Sequence, residues 1–150
     1  MPPARLYTLG YQGRDLDGVV ALLREHGVGT LVDVRLNASS RAPGFSKRRL
    51  EAGLAAAGIG YRHRPELGNP RDNRAAFRRG DAAAHDRFRA RLAEPEAAGA
   101  LDELAELAAS ADLAGGVALL CFEADPIECH RRHVAAALAA RSPGLVVVDL

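Results

Sequence analysis

The sequence has few of the features that mark a secreted or membrane protein. Its 150 residues include only two cysteines, Cys121 and Cys129, which is too few for a disulfide framework. No apolar run follows a basic N-terminal segment, and no stretch of about 20 apolar residues is present. Neither a signal peptide nor a transmembrane helix is therefore expected. We predict a cytoplasmic protein whose thiols are reduced.

An excess of charge of one sign is also lacking. The formal net charge is +1, so no bulk field attracts nucleic acid or an anionic membrane. A nucleic-acid partner would need a local basic patch, and no membrane partner is expected. Hydrophobic residues make up 48% of the chain and charged residues 26%, the usual mix of a globular protein. The length suits one domain over residues 1–150.

The chain does contain a regular alternation of strand and helix patterns. Strands are predicted at residues 6–11, 30–36, 59–64, 117–122 and 145–150. Helices are predicted after the capping residues Asp15 and Ser46, and at residues 82–92, 96–109 and 126–140. Strands that alternate with helices indicate parallel βαβ units. We predict one three-layer α/β/α (Rossmann-like) domain with about five mainly parallel strands.

A long polar segment at residues 65–81, PELGNPRDNRAAFRRGD, separates the third strand from the next helix. It exceeds the usual connection in a compact domain, which favours a functional loop or lid. Its arginines surround Phe77, and basic patches with aromatic residues are typical of nucleic-acid surfaces. A solvated charged loop is the alternative.

The segment at residues 117–132, VALLCFEADPIECHRR, concentrates more reactive side chains than any other part of the chain. It predicts a buried strand, a sharp turn and a helix start with Asp125 as the N-cap residue. In parallel sheets, ligands bind beyond the carboxyl ends of the strands, where helix N-termini present free N–H groups. We therefore predict a functional site that contains Cys121, Glu123, Cys129, His130 and Arg131.

His130, Cys129 and Glu123 are the candidates for catalysis. A carboxylate nearby raises the pKa of a histidine and a helix N-terminus lowers it, so His130 is expected to titrate near neutrality and to transfer protons. The alternative is a core histidine. Cys129, near a helix N-terminus and Arg131, is a candidate nucleophile. In a helix that begins at residue 126, however, Cys129 points away from the buried stripe, which consists of Ile127, Val134 and Leu138.

Anion binding is predicted beside the second strand. Asp33 and Arg35 lie two residues apart and share one strand face. Arg35 and Arg41 suit bidentate binding of a phosphate or carboxylate. The further candidates for ligand binding are Asp33, Ser40, Arg131 and Tyr11, the last by stacking on a base or ring. The alternatives are an Asp33–Arg35 ion pair that orders a loop, a structural pairing of Arg131 with Asp33 or Glu123, and a plain turn at Tyr11.

A metal site has weaker support. Cys121, Cys129, His130 and His133 offer ligand atoms within a short span, but their spacing does not match a common zinc template. Adjacent residues on a helix also diverge, which separates Cys129 from His130. No metal is predicted, and the cofactor stays unknown.

These segments together resemble the DUF488 family of small bacterial and archaeal proteins. The matching motifs are TLGYQG, LVDVR, SSRAPGFS, GIGYRHRPELGNPR and LLCFEADPIECHRR, in this order across nearly the whole chain. The resemblance implies the α/β fold and the position of the site, but no activity. By motif it points to Asp33, Arg35, Ser40, Arg41, Phe45, Leu67, Gly68, Cys121, Glu123, Cys129, His130 and Arg131.

Three functions remain open at this point. In the first, the protein binds or processes a phosphorylated ligand, such as a nucleotide or a nucleic-acid end. Arg35, Arg41 and Arg131 then hold the anion, and His130 or Glu123 moves protons. The second is a non-catalytic module that binds nucleic acid or a protein through the basic segment. The third is a thiol-dependent redox or transferase protein that uses the two cysteines.

Overall fold

The computed structural model describes residues 3–110 and 115–150. The strands are β1 (Arg5–Gly10), β2 (Val28–Asp33), β3 (Gly60–His63), β4 (Gly116–Cys121) and β5 (Val146–Asp149). The helices are α1 (Leu16–Glu25), α2 (Lys47–Ala56), α3 (Arg74–Arg78), α4 (Ala82–Leu92), α5 (Pro95–Ala109) and α6 (Arg131–Arg141). Short 3-10 turns lie at Pro65–Leu67, Arg71–Asn73 and Pro126–Glu128. No helix among these is long and apolar enough to cross a membrane.

The strands form one sheet in the order β3-β2-β4-β1-β5, and every pair is parallel. The predicted α/β class with about five parallel strands is confirmed. In this order β2, β4 and β1 are neighbours at the centre of the sheet. Their carboxyl ends therefore meet at one edge, where ligands of parallel sheets bind.

Side chains of successive strand residues enter two separate cores, one on each face of the sheet. Leu119 of β4 belongs to one core, whereas its neighbours Ala118 and Leu120 belong to the other. Successive strand residues point to opposite faces, so a strand covered on both sides is apolar throughout. Helices α1 and α2 cover one face, and α3, α4, α5 and α6 cover the other. These are the three layers of the predicted fold.

The segment at residues 65–81 is not the open loop that its polarity predicts. It contains two 3-10 turns and α3, and its Leu67, Asn73 and Phe77 are buried. Phe77 stacks on His85 of α4 with ring centroids 3.8 Å apart. The apolar residues in the segment are few but well spaced, so they fix it to the core while the arginines stay at the surface.

The start of the last helix also differs from the prediction. Residues Pro126–Glu128 form a 3-10 turn, Cys129 is extended (φ −110°, ψ 140°), and α6 begins only at Arg131. Ile127, expected in the buried stripe, is 65% exposed. A count of 100° per residue holds only within one continuous helix. The extended Cys129 breaks that continuity and changes the direction of every side chain before it.

Candidate functional site

A cavity of about 190 Å³ lies at the carboxyl ends of β1, β2 and β4. The strand ends contribute Tyr11, Arg35, Cys121 and Glu123, and His130 lies at the N-cap of α6. The opposite wall comes from the segment at residues 65–81 and consists of Asn69, Arg74, Phe77 and Arg78. The strand ends and this segment therefore form one cleft, which we call the central cleft.

Two glycines allow the backbone around the central cleft to pack closely. A Cβ at Gly10 would overlap the backbone carbonyl of Glu123, and a Cβ at Gly68 would overlap the backbone of Leu36. Only glycine permits such close approach of two backbones. Gly10 thus allows the turn after β4 to contact the end of β1. Gly68 allows the segment after β3 to contact the chain that follows β2.

Arg35 is held by a network of protein partners beneath the cleft. Its Nε and Nη2 donate to the two carboxylate oxygens of Asp33 at 2.8 and 2.7 Å. Its Nη1 donates to the Tyr11 hydroxyl at 3.2 Å and to the Phe45 carbonyl at 2.8 Å. Four of the five guanidinium donors are therefore used within the protein. Burial lowers the pKa of Arg35, but the ion pair with Asp33 outweighs burial and raises it above its ordinary value.

Tyr61 completes the network from β3. Its hydroxyl donates to Asp33 Oδ2 at 2.6 Å. Burial and this hydrogen bond to a carboxylate raise the pKa of Tyr61, so the phenol stays protonated. Asp33 is fully buried and lies outside the residues that line the cavity. The Asp33–Arg35 pair is thus the ordering ion pair that stood as the alternative to anion binding.

Arg131 has a comparable role at the turn after β4. It is 1% exposed, and its guanidinium donates to the carbonyls of Glu123 and Ala124 and to the Thr8 hydroxyl. Neither expected carboxylate partner, Asp33 or the Glu123 side chain, forms an ion pair with it. Burial lowers its pKa below the ordinary value for arginine. Arg131 therefore holds the turn that carries Glu123 and does not line the cavity.

Cys121 and Cys129 form a disulfide, so the prediction of two free thiols is wrong. Cys129 is 1% exposed and points into the protein, not away from it as expected. The physical reason is again the extended backbone at Cys129, which turns its side chain toward the end of β4. Cys121 lines the cavity, whereas Cys129 lies behind it.

His130 directs one ring nitrogen at both sulfur atoms. Its Nε2 lies 2.8 Å from the Val34 carbonyl, which can only accept, so Nε2 carries the hydrogen. Its Nδ1 then holds the lone pair and lies 3.8 Å from the Sγ of Cys121 and of Cys129. Burial lowers the pKa of His130 to about 4. The ring is therefore neutral near pH 7, and the expectation that it titrates near neutrality is wrong.

Glu123 lies between the disulfide and the solvent. Its Oε2 lies 3.1 Å from Cys121 Sγ, and its Oε1 accepts from Arg78 Nε and Nη2 at 3.0 and 2.9 Å. The side chain of Glu123 is 12% exposed and that of Arg78 is 48% exposed. Arg78 of α3 thus ties the opposite wall of the cleft to the end of β4.

Beside the central cleft lies a wide groove of about 630 Å³, which we call the basic basin. Its cations are Arg41, Lys47, Arg71 and Arg74, with His63 at its side, and no carboxylate of the described residues lines it. Within residues 3–110 and 115–150, none of the four cations forms an ion pair. Arg74 lines both the basin and the cleft, which therefore lie side by side.

The loop below the basin is held by serine hydroxyl groups. Ser46 Oγ accepts from the Ser40 N–H and donates to the Ser40 carbonyl, each at 3.1 Å. Ser40 Oγ accepts from the Ala42 N–H at 3.1 Å. Ser46 is the N-cap residue of α2 but makes no capping hydrogen bond with its side chain. These bonds shape the loop that presents Arg41.

Comparison with known proteins identifies a family over most of the chain. The family model described as a domain of unknown function, DUF488, matches residues 15–138. The chain belongs to the DUF488 family. No curated protein and no solved structure gives a significant match. Membership therefore agrees with the resemblance of the motifs and assigns no activity.

The structure distributes the predicted site residues of this DUF488 chain over three places. Tyr11, Arg35, Glu123 and His130 line the central cleft, and Ser40 and Arg41 line the basic basin. Asp33, Cys129 and Arg131 lie behind these surfaces. Lys47 was not predicted as a site residue, and Arg71 and Arg74 were predicted only as part of the basic segment, not as neighbours of Arg41. The available signal was the run of arginines in residues 65–81. In the structure this segment lies beside the loop that carries Arg41.

Proposed function

We propose that this DUF488 protein binds a phosphorylated ligand, a nucleotide or a nucleic-acid end, with its phosphate in the basic basin. The observation that carries the proposal is the convergence of Arg41, Lys47, Arg71 and Arg74 on one groove that no carboxylate lines in the part of the chain that the structure describes. Such a convergence is electrostatically unfavourable in the free protein. A bound anion of more than one charge relieves it.

Phosphate fits the donor types of the basin. The planar guanidinium groups of Arg41, Arg71 and Arg74 bind phosphate oxygens in bidentate fashion, and Lys47 supplies a compact charge. Arg41, Lys47 and Arg71 are exposed, so their donors are available without breaking bonds inside the protein. Arg35 and Arg131, which the sequence suggested as anion-binding residues, already donate to acceptors within the protein, so their donors are not available in this way.

The central cleft provides room for the rest of the ligand. Three aromatic residues line it, of which Phe122 is exposed, whereas Tyr11 and Phe77 are buried and stack on Phe45 and His85. An exposed aromatic side chain beside a cationic groove suits a base attached to a phosphate, because the base stacks on the ring while the cations bind the charge. His130 and Glu123 lie at the floor of this cleft. A phosphate in the basin thus brings the attached group close to the most reactive side chains of the protein.

Fluorescence anisotropy with a short oligonucleotide tests this proposal. The probe carries a fluorophore at its 3′ end and either a phosphate or a hydroxyl group at its 5′ end. We expect tighter binding of the phosphorylated probe, and about 10-fold weaker binding after Arg41→Ala or Arg74→Ala, since each removes charge-assisted hydrogen bonds. Arg24→Ala, an exposed arginine on α1, is the matched control and should leave the affinity unchanged. Equal affinity of the two probes for all variants would refute the proposal.

The same mixture of protein and probe shows whether the protein is an enzyme or a non-catalytic binding module. After prolonged incubation, mass spectrometry of the probe shows whether its 5′ phosphate or its length has changed. A changed probe indicates processing, and the change should then depend on His130 or Glu123. An unchanged probe that still binds through the basin indicates the non-catalytic module.

A thiol-dependent function is a second candidate, and the disulfide beside His130 favours it. A thiolate substrate would attack the cavity-lining Cys121 Sγ, and Cys129 would leave as a thiolate. A second thiolate of the substrate then releases Cys121, so the substrate becomes a disulfide and the protein a dithiol. In Cys129→Ser, Cys121 is a free thiol, and we expect its thiolate to attack an added small disulfide, keep one half as a stable mixed disulfide and release the other half as a thiolate, detected by mass. No adduct at Cys121 would exclude this exchange.

A further inference from the structure

We propose that the reduced form of this protein binds one zinc ion through Cys121, Cys129 and His130. The two Sγ atoms and His130 Nδ1 all lie within 4.8 Å of one another. Zinc takes thiolate and imidazole ligands in a tetrahedral arrangement. The proposal goes beyond phosphate binding and does not depend on it, because no basin residue takes part.

The histidine is oriented as a ligand by its other nitrogen. His130 Nε2 donates to the Val34 carbonyl at 2.8 Å, which leaves the lone pair on Nδ1 directed at the sulfur atoms. Metal-binding histidines almost always donate their second ring N–H in this way, to a backbone carbonyl or a carboxylate. The orientation of His130 is thus set before any metal binds.

The surroundings favour two thiolates and one divalent cation. Cys121, Cys129 and His130 are all buried, and the backbone N–H of Arg131 lies 3.5 Å from Cys129 Sγ as a donor. Two thiolates balance the charge of a zinc ion, so the loaded site is neutral. Without the metal, the two buried cysteines are neutral thiols, because burial disfavours the charged thiolates. Once the sulfur atoms are separate, zinc binds them as thiolates and releases their two protons.

The fourth metal position would face the central cleft. Cys121 and His130 line the cavity together with Glu123, whereas Cys129 lies behind them. Three protein ligands and one open position are the arrangement of catalytic zinc sites, in which the fourth ligand is water or substrate. Glu123, 3.1 Å from Cys121 Sγ, is placed to accept a proton from such a water.

The disulfide and the metal exclude each other, so the site depends on reduction. A phosphine reductant and one water molecule convert the disulfide into two thiols, and the phosphine becomes its oxide. Two electrons pass from phosphorus to the sulfur atoms, and the two protons come from the water. Zinc then displaces both protons when it binds.

The test is a titration of the phosphine-reduced protein with Co²⁺ under anaerobic conditions, followed by displacement with Zn²⁺. We expect one equivalent of Co²⁺ to bind, with sulfur-to-cobalt charge-transfer bands and the strong visible bands of tetrahedral cobalt. Cys129→Ser and His130→Ala should each weaken the affinity at least about 100-fold. The matched control is His133→Gln, which alters a neighbouring histidine of α6 and should leave binding unchanged.

A second measurement needs no variant. In the reduced wild-type protein, Zn²⁺ should protect both cysteines from alkylation, and the oxidised protein should give no cobalt spectrum. Absence of charge-transfer bands, or equal binding by the oxidised form, overturns the proposal. Failure of the phosphate proposal is separate, since the anisotropy assay reports on Arg41 and Arg74 and not on the cysteines.

Discussion

The central cleft and the basic basin use arginine in opposite ways. Arg35 and Arg131 are almost fully buried, and their donors contact carboxylate, carbonyl and hydroxyl oxygens of the protein. Arg41 and Arg71, at the same edge of the sheet, are exposed and form no ion pair with the described residues. Arg35 and Arg131 therefore maintain the shape of the site, whereas Arg41 and Arg71 are free to bind a ligand. Proximity to the site does not separate the two roles, but the hydrogen-bond partners do.

The largest effect is expected from breaking the buried network. Asp33→Ala removes the two carboxylate acceptors of Arg35 and the acceptor of Tyr61, and leaves a buried charge without its partner. We expect a loss of about 3–5 kcal/mol in the free energy of unfolding, measured by urea denaturation. Asp72→Ala breaks the exposed pair with Arg87 and should cost less than about 1 kcal/mol. Similar losses in the two variants would contradict the distinction between buried and exposed pairs.

Arg35→Lys tests the same network from its cationic side. A lysine keeps the charge but cannot donate to both Asp33 oxygens and the Phe45 carbonyl. We expect about 2 kcal/mol of destabilisation, with unchanged affinity of the folded protein for the phosphorylated oligonucleotide. If Arg35 instead bound the anion directly, as the sequence suggested, the change would weaken binding and leave the melting temperature unchanged. That outcome would show that Arg35 binds the ligand.

The next prediction concerns His133 and the pH dependence of the free energy of unfolding. Burial, then Arg132 and His85, lower the pKa of His133 to about 4, against about 6.5 in the unfolded chain. The unfolded chain thus takes up a proton first, and stability is lost as the pH falls from about 6.5 toward 4. His133→Gln should reduce this loss by about 1 kcal/mol, a value discounted for the partial exposure of the ring. Urea denaturation at pH 7 and pH 4.5 measures the difference, and an unchanged pH dependence would contradict it.

The smallest effect is expected from Arg41→Lys in the basin. The charge is kept and only the bidentate geometry is lost, so we expect about 3-fold weaker binding of the phosphorylated oligonucleotide. Stability should change by less than about 0.5 kcal/mol, because Arg41 is exposed and has no ion-pair partner among the described residues. A clear shift in melting temperature would show that Arg41, like Arg35, has a structural role.

The fold and the position of the site could be predicted from the sequence. Alternating strand and helix patterns predict a parallel sheet, and the reactive residues follow strands that meet at its carboxyl edge. The roles of individual residues could not be predicted from the sequence. A single extended residue, Cys129, breaks the predicted helix and brings together a disulfide and a histidine that a helical count separates. The partners of Arg35 and Arg131 include backbone carbonyls, which no side-chain pattern records.

The packing at Gly10 has a consequence for mutational scanning. In a library selected only for folded protein, every substitution at this position should be depleted, because even the Cβ of alanine overlaps the Glu123 carbonyl. Gly99 of α5, where a Cβ meets no atom within 4 Å, should accept alanine. Gly10 will therefore score like an essential catalytic position although it has no side chain to react. A scan that reads out abundance and ligand binding separately would distinguish the two kinds of constraint.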